Sequence, residues 1–291
     1  MKKFLILVIE RAIKSYRVER LIEEIEKRGH EVDLLCSSHA NILISGVYSK
    51  KKIDLDNYDF IYSIGNDDKH QYITTLAGYN SDAKIWPDDL SLNDKFVEGV
   101  FLSSINVPTP RTALLTNKKE ESIERATKEV GGFPCVIKKV TGSEGKYVGL
   151  VNSSKEAFGF LKKLPHPSVT GKKNIIFQQY IKEAKGSDFR VYCVGNEILG
   201  AIKRTSQSDD FRANISLGGQ AEQVEVNEDM EKYSRKIIKD GRFLLVGIDF
   251  IKSNEGYLVI EINNSADFKG FEKATGINVA GKIIDKFLEE K

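Results

Sequence analysis

The chain has 291 residues, which at about 150 residues per domain predicts about two domains. Its 44 lysines and arginines nearly balance its 42 aspartates and glutamates, so that the formal net charge is +2. This balance excludes a dedicated nucleic-acid binder, because such proteins normally carry a basic excess on one face. Apolar residues make up 41% of the chain, enough for ordinary hydrophobic cores and too many for disorder.

The N-terminal apolar run, residues 4–9, ends at Glu10 and Arg11. It is shorter than the apolar part of a signal peptide and far too short to cross a bilayer. The three cysteines and four histidines are scattered, in a pattern that fits neither a disulfide framework nor a metal site of cysteines and histidines. We therefore expect a cytoplasmic protein without a membrane partner.

The first 90 residues predict a small parallel α/β domain. Val18, Leu21, Ile22 and Ile25 are spaced as on one face of a helix, between an apolar strand at 4–9 and a second strand at 31–36. A strand at 58–64, a helix at 68–79 and a short strand at 84–87 continue the alternation. This β-α-β order is typical of a parallel sheet with helices packed on it.

Two further units are predicted after residue 90. From 91 to 180 strands and helices alternate, which indicates an α+β lobe; its predicted elements are a helix at 93–104, a strand at 112–115, a helix at 119–130, a strand at 135–139, a glycine-bearing loop at 142–149 and a helix at 155–164. Beyond residue 173 the chain is mainly strands, which we predict at 175–180, 188–194, 197–204, 246–251 and 257–263, with helices at 228–243 and 279–289; residues 181–291 form the last unit.

The last two predicted strands carry a candidate metal site. Side chains alternate along a strand, so Glu261 and Asn263 point to the same face. A three-residue turn with Gly256 in the left-handed conformation would place Asp249 directly opposite Glu261. Two opposed carboxylates repel each other unless a cation lies between them, and such oxygen ligands suit Mg²⁺. An acidic solvent-exposed face is the alternative interpretation.

Two other segments suggest an anion site. Lys138 ends a buried strand and precedes a loop containing Gly145, an arrangement that can hold phosphates, although no Walker A motif is present and a plain hairpin is the alternative. Lys203 and Arg204 precede a long polar loop, 205–219, whose arginine side chain could grip a carboxylate or a phosphate. A solvated loop with incidental arginines is the alternative there.

The order of several sequence blocks resembles the RimK-type α-L-glutamate ligases of the ATP-grasp superfamily. The blocks are NDK at 93–95, GFPCVIK at 132–138, QYIKEAKGSDFR at 179–190, DFRAN at 210–214, GID at 247–249, EIN at 261–263 and EKATGI at 272–277. The resemblance implies a mixed α/β and α+β fold, in which two α+β lobes enclose ATP. They follow a small parallel pre-ATP-grasp domain, with boundaries at 1–90, 91–180 and 181–291.

The resemblance also implies a role for individual residues. Lys95, Lys138 and Lys203 would bind the nucleotide together with Gly145 of the lid and with Asp188 on the ribose side. The hinge against adenine would be formed by Gln178, Gln179, Tyr180 and Ile181. Arg204, Arg212 and Asn214 would act near the γ-phosphate and the acceptor carboxylate. Asp249, Glu261 and Asn263 would hold one or two Mg²⁺ ions, with Mn²⁺ as a substitute.

In that family a carboxylate and ATP form an acyl phosphate, which an amine attacks to give an amide, ADP and phosphate. The implied partners are a small-molecule or peptide carboxylate, an amino-acid amine, and a carrier or target protein; a homo-oligomer is open. The chain departs from the family after Asn263, where it has NSADFKG at 264–270 in place of Ala-Ser-Pro-Gly. Its Asp-Phe-Lys run is similar to related ligases that load an amino-group carrier protein, so the added amino acid is open.

Two other functions are compatible with the same features. A nucleotide-binding regulatory protein would keep the fold without turnover, but it would have no need of Asp249, Glu261 and Asn263 as metal ligands. A phosphotransferase would stop at the phosphorylated acid and release ADP without an amine. The leading hypothesis is therefore a carboxylate–amine ligase.

Overall fold

The computed structural model describes residues 1–44, 46–49, 52–65, 68–87, 91–142, 147–164, 174–207, 220–239 and 243–289. The strands in this part of the chain are β1 (Lys3–Val8), β2 (Glu31–Cys36), β3 (Asn41–Leu43), β4 (Gly46–Tyr48), β5 (Lys52–Ile53), β6 (Phe60–Ile64), β7 (Lys84–Trp86), β8 (Thr112–Leu115), β9 (Cys135–Lys139), β10 (Val148–Val151), β11 (Ile175–Gln179), β12 (Ser187–Val194), β13 (Glu197–Thr205), β14 (Gln220–Val224), β15 (Leu245–Ser253) and β16 (Gly256–Asn263). The α-helices are α1 (Tyr16–Lys27), α2 (Asp68–Asn80), α3 (Lys95–Ser104), α4 (Glu120–Glu129), α5 (Ser154–Lys163), α6 (Glu228–Ile238), α7 (Lys269–Thr275) and α8 (Val279–Glu289).

The N-terminal sheet is parallel, as its sequence pattern predicts. Its strand order is β2-β1-β6-β7, and each adjacent pair runs parallel. Helix α1 begins after Ser15, whose side chain accepts a hydrogen bond from the backbone N–H of Val18, and the helix buries Val18, Leu21 and Ile25. A small antiparallel sheet, β3-β4-β5, accompanies it. We did not predict these strands, because two or three residues are too few to show an alternating pattern.

The central sheet is antiparallel and carries the predicted phosphate-binding lysine. Its order is β10-β9-β11-β8. Lys138 lies opposite Val148 of β10 and Ile176 of β11, so it occupies an interior strand. The predicted glycine-bearing loop therefore ends earlier than expected, because β10 begins at Val148. Gly145 lies outside the described residues.

The C-terminal sheet is also antiparallel, with the order β14-β13-β12-β15-β16. Strand β14 and helix α7 were not predicted, since both are short and polar. Helix α6 ends at Ile238, before the predicted end at Phe243. The other predicted strands and helices of this part are confirmed to within about two residues at either end.

The largest hydrophobic core joins the N-terminal and C-terminal sheets. Phe287 of α8 packs against Phe4 and Phe60, with ring centroids 6.0 and 5.1 Å apart, while the central sheet has its own core around Phe177. Helix α3 contacts β16, so the segment between the first and second sheets packs against the third. Among the described residues no helix is long and apolar enough to cross a membrane.

Candidate active site

The β15–β16 hairpin brings two carboxylates face to face. Asp249 pairs with Glu261, as predicted. The predicted turn is wrong, because Ser253 pairs with Gly256 and the turn contains only two residues. A bulge beside Asp249 adds one residue to β16 and restores the register. The backbone angle φ of Gly256 is 121°, outside the left-handed helical conformation that we predicted.

Two arginines surround the carboxylate of Asp249. Arg190 donates from Nε to Oδ1 at 2.5 Å and from Nη2 to Oδ2 at 2.7 Å, and Arg204 Nη2 lies 3.0 Å from Oδ2. Burial opposes ionisation of Asp249, but the two guanidinium groups outweigh it and lower its pKa. Asp249 is therefore a buried carboxylate that stays charged.

Arg204 also holds Asp188. Its Nε donates to Asp188 Oδ1 at 2.5 Å and its Nη2 donates to Oδ2 at 2.8 Å, which forms a bidentate pair. Burial raises the pKa of Asp188 despite this arginine. Both oxygens of Asp188 thus accept hydrogen bonds within the protein. The ribose contact that the family resemblance implies for Asp188 stays a prediction.

The side-chain oxygens of Asp249, Glu261 and Asn263 are suitable ligands for Mg²⁺. Asn263 donates from Nδ2 to Asp249 Oδ2 at 3.3 Å. The Oδ1 atom of Asn263 accepts nothing in this contact and is therefore a candidate metal ligand. Asp249 Oδ1 accepts one described hydrogen bond, so one lone pair is left for a metal ion. No group of three or more His, Cys, Asp or Glu side chains in the described part of the chain could hold a metal. The candidate set instead has two carboxylates and one amide, and Mg²⁺ commonly completes such a set with water and substrate phosphates.

Lys95 connects the lobes at this site. Its Nζ lies 3.2 Å from Glu261 Oε1 and donates to the carbonyl of Gly142 at 2.9 Å. Its backbone N–H donates to the carbonyl of Val140, just after β9. Asp94 accepts hydrogen bonds from the first turn of α3 and so fixes the start of this helix. Lys95 therefore faces both the glycine loop and the carboxylate of Glu261.

A second lysine is buried beside it. Lys138 is 7% exposed and its ammonium makes no hydrogen bond or ion pair with a described residue. Burial lowers its pKa, while the negative charge of Glu261 opposes that change and Lys95 adds to it. A buried cation without a hydrogen-bonded anion is the environment that a phosphate group would complete. The two lysines therefore fit a polyphosphate.

The predicted hinge lies at the end of β11. Gln178 donates to the Thr112 hydroxyl at 2.9 Å, and Gln179 exchanges hydrogen bonds with Arg111 through its backbone and its side chain. Tyr180 is half-buried and Ile181 is buried. Because β11 ends at Gln179, the four predicted residues lie where the chain leaves the central sheet towards β12. Their contact with adenine stays a prediction.

Other predicted residues lie farther out or beyond the described part. Lys203 is half-buried on β13, with Nζ 3.7 Å from Glu222 Oε1. Arg212, Asn214 and Gly145 lie outside the described residues. For these residues the roles implied by the family resemblance stay predictions.

The site also contains two residues to which the sequence analysis gave no role. Arg190 was quoted within a motif, but its bidentate contact with Asp249 depends on the pairing of β12 with β15. Glu98 is buried on α3 and accepts a hydrogen bond from the backbone N–H of Ile262 at 2.6 Å. Burial first, and then the charge of Glu261, raise the pKa of Glu98 well above its usual value. Its position one turn after Lys95 was the available signal.

The chain is similar in sequence to known proteins of one family. Residues 92–287 match the model of the RimK-like ATP-grasp domain. A protein of Shewanella loihica named "Probable alpha-L-glutamate ligase" is 31% identical over 295 residues, covering 98% of this chain and 95% of that protein. A protein of the same name from Legionella pneumophila (strain Corby) is 30% identical over 285 residues, covering 95% and 92%.

Solved structures share the fold. The RimK domain protein ATP-grasp from Sphaerobacter thermophilus DSM 20745 superposes with a TM-score of 0.71 at 20% identity, over 97% of this chain and 98% of that one. The ATP-grasp ligase PsnB, complexed with a phosphomimetic variant of its minimal precursor, Mg and ADP, superposes with a TM-score of 0.68 at 15% identity, over 98% and 97%.

The parallel N-terminal sheet and the two antiparallel sheets that follow it have the arrangement of the ATP-grasp fold. The chain belongs to the RimK-like ATP-grasp family. It is an ATP-dependent ligase that forms a carbon–nitrogen bond between a carboxylate and an amine. The prediction of an enzyme rather than a regulatory protein is thereby confirmed.

Proposed function

We propose that this ligase joins an amino acid such as glutamate to the carboxylate of a small molecule or a protein, by way of an acyl phosphate. The observation that carries the proposal is the ion pair of Lys95 with Glu261, which pairs with Asp249, beside the buried Lys138, whose pKa burial lowers and the charge of Glu261 raises. Cations for phosphate thus lie beside oxygens for Mg²⁺. Phosphoryl transfer depends mainly on such positioning and charge neutralisation.

Each residue has a defined task in this proposal. Lys95 and Lys138 hold the phosphates of ATP, and Asp249, Glu261 and Asn263 hold Mg²⁺, which neutralises charge on those phosphates. Gln178 to Ile181 contact adenine, and Asp188 and Lys203 lie along the nucleotide. Arg190 and Arg204 keep the carboxylate of Asp249 charged and oriented. No serine, cysteine or histidine nucleophile is needed.

The chemistry balances as follows. A carboxylate oxygen takes the γ-phosphoryl group of ATP, and ADP leaves. The amine then attacks the acyl carbon, phosphate leaves, and the nitrogen loses a proton as the amide forms. Because an acyl phosphate hydrolyses in water, closure of the lid that contains Gly145 would protect it. Arg212 and Asn214 are proposed to contact the transferred phosphoryl group and the acceptor carboxylate.

Glutamate as the added amino acid is supported by the names of the relatives from Shewanella and Legionella. The loop 264–268 directly follows Asn263 and is held from two sides: Arg17 of α1 donates to the carbonyl of Ser265, and Tyr192 of β12 donates to the carbonyl of Asp267. This ordered loop differs in sequence from the family pattern at the place where the acceptor should bind. We therefore propose that residues 264–268 select the acceptor.

A protein acceptor is supported by the precursor bound in the PsnB structure. A carrier or target protein with an exposed carboxylate is the corresponding partner for this chain. Mn²⁺ should replace Mg²⁺ at the same oxygens, since both ions prefer oxygen ligands.

The proposal is tested by ADP release. Purified protein is incubated with ATP, Mg²⁺, glutamate and a panel of carboxylate-bearing peptides and small acids, and ADP and the coupled product are measured. We expect ADP release that requires both the acid and the amine, together with a product heavier by one amino-acid residue. Release without amine, accompanied by a stable phosphorylated acid, would contradict the ligase reaction proposed here.

A further inference from the structure

Glu98 lies between the proposed phosphate site and the proposed metal site. It follows Lys95 by three residues on α3, so both side chains lie on one face of the helix. Glu98 is 3% exposed and accepts the backbone N–H of Ile262 at 2.6 Å. Ile262 stands between Glu261 and Asn263 in β16. One hydrogen bond therefore connects the lysine-bearing helix to the strand that carries two proposed ligands.

The hydrogen bond from the Ile262 N–H to Glu98 lies on the side of β16 where a neighbouring strand would normally accept it. Strand β16 is at the edge of its sheet, so one side of its backbone has no partner strand among the described residues. The N–H of Val259 on this edge donates to the carbonyl of Pro108, and the N–H of Ile262 donates to Glu98. The segment from Lys95 to Pro108 thus holds β16 at two points.

Glu98 satisfies one backbone N–H in the protein interior with a carboxyl group, which is unfavourable to bury. Burying it costs free energy that an apolar side chain would not cost. Other buried glutamates of this chain offset that cost by ion pairs, as Glu24 does with Arg20 and Arg28. Glu98 makes no ion pair within the part of the chain that the structure describes. Its location next to Lys95, Lys138 and Glu261 therefore calls for a role at the site.

We propose that Glu98 is a positioning residue of the ligase, which sets the distance between Lys95 and the ligands Glu261 and Asn263 through the Ile262 N–H. This inference rests on the proposed metal-binding role of those two ligands. Without the hydrogen bond, β16 can shift relative to α3, and the phosphate and metal sites lose their common geometry. Glu98 touches neither substrate nor metal in this account.

The test measures binding of the fluorescent nucleotide mant-ADP in the presence of EDTA and in the presence of Mg²⁺. Glu98→Met keeps the size of the side chain but removes the acceptor. We expect it to lose about tenfold of the affinity gained from Mg²⁺, while affinity in EDTA stays unchanged. Glu98→Gln keeps an oxygen acceptor and should restore the Mg²⁺ effect to within about threefold of wild type.

Glu24→Met serves as the matched control, because it removes another buried helical glutamate whose partners lie away from the site. It should lower the melting temperature and leave the Mg²⁺ effect unchanged. If Glu98→Met does not fold, Glu98→Asp draws the carboxylate back by one methylene group and should show the same loss. The proposal would be overturned if the folded Glu98→Met or Glu98→Asp variant kept the full gain in affinity from Mg²⁺. It would also be overturned if Glu98→Met and Glu98→Gln lost this gain to the same extent.

Nucleotide binding needs no turnover, so this result is independent of the ligase assay. A protein that binds mant-ADP with Mg²⁺ but forms no amide would refute the proposed reaction and still test Glu98. In an active protein, Glu98→Met should also raise the Mg²⁺ concentration for half-maximal rate by about tenfold without changing the KM for the acid. A purely structural role would lower the amount of folded enzyme and leave that concentration unchanged.

Discussion

The carboxylates of Asp249 and Glu261 are neutralised by different cationic side chains. Asp249 is held by two guanidinium groups, which lower its pKa, whereas Glu261 forms an ion pair with Lys95 and is partly exposed. Oxygens of Glu261 are therefore more accessible to an arriving Mg²⁺ ion than those of Asp249. Replacing this single charge should affect the metal site while leaving the buried ion pairs in place.

Glu261→Gln is expected to reduce kcat by roughly a hundredfold or more, because the amide removes the negative charge that we propose as a ligand of Mg²⁺. The melting temperature should stay within a few degrees of wild type, since Glu261 is not part of the core. The measurement is ADP release with saturating substrates. Glu255→Gln, in the exposed turn of the same hairpin, is the control and should keep full activity. Full activity in Glu261→Gln would refute the assignment of this ligand.

At the scale of elements, the β15–β16 hairpin shows what sequence can and cannot predict. The pairing of Asp249 with Glu261 follows from alternation along two strands and was correct. The turn was not, because a two-residue turn and a bulge give the same pairing as a three-residue turn without a bulge. The arginine contacts with Asp249 could not be predicted either, since they require the order of β13, β12 and β15 in the sheet.

Alanine substitutions at two glycines of this hairpin, Gly247 and Gly256, are expected to have similar effects on stability but different effects on activity. A Cβ at Gly247 would lie 2.8 Å from Ala266 Cβ and 3.1 Å from Arg190 Cδ, so Gly247→Ala should displace the arginine that orients Asp249. A Cβ at Gly256 would lie 3.1 Å from Asp229 Oδ2 at a φ of 121°, which strains only the turn. We expect each variant to lose about 1–3 kcal/mol of stability.

Only Gly247→Ala should lower kcat, when rates are measured well below both melting temperatures. Equal kcat values in the two variants would show that the position of Arg190 does not limit turnover.

Helix α1 is joined to α7 by the ion pair of Arg20 with Glu272, and to the residue before α8 by a hydrogen bond from Asn278 to Glu24. Glu24 accepts from Arg20, Arg28 and Asn278, and Arg20 also lies 3.4 Å from Glu272. Burial raises the pKa of Glu24, but the hydrogen bonds from these residues outweigh it and lower the pKa from 4.5 to about 2. The folded state therefore binds the proton of Glu24 more weakly than the unfolded state does. Its stabilising contribution is complete above pH 4.5 and is lost as the pH falls towards 2.

Glu24→Gln should consequently lower the free energy of unfolding by about 2–4 kcal/mol at pH 7. The difference from wild type should shrink between pH 4.5 and about 2, where the wild-type carboxylate becomes protonated. Urea denaturation at pH 7, 4.5 and 3 measures it, with exposed Glu26→Gln on the same helix as the control. A difference that does not change with pH would show that Glu24 is not ionised in the folded protein.

For the whole molecule, the near-zero net charge is an average over opposite local charges. Sequence blocks were sufficient to predict the ATP-grasp fold, because they occur in the family's order over two thirds of the chain, and the fold is confirmed. They could not predict that the N-terminal sheet shares a core with α8, since the packing of Phe287 on Phe4 joins residues from opposite ends of the chain. The division at 90 and 180 stays a prediction.

The central claim is that ATP hydrolysis is coupled to amide formation at the site of Lys95, Lys138 and Glu261. The most direct measurement is ADP release with and without glutamate, in the presence of ATP, Mg²⁺ and a carboxylate acceptor, with mass spectrometry of the acceptor. We predict that ADP formation over many turnovers requires the amine and that one glutamate is added per ADP. ADP formation at the same rate without amine, with no product containing glutamate, would contradict it.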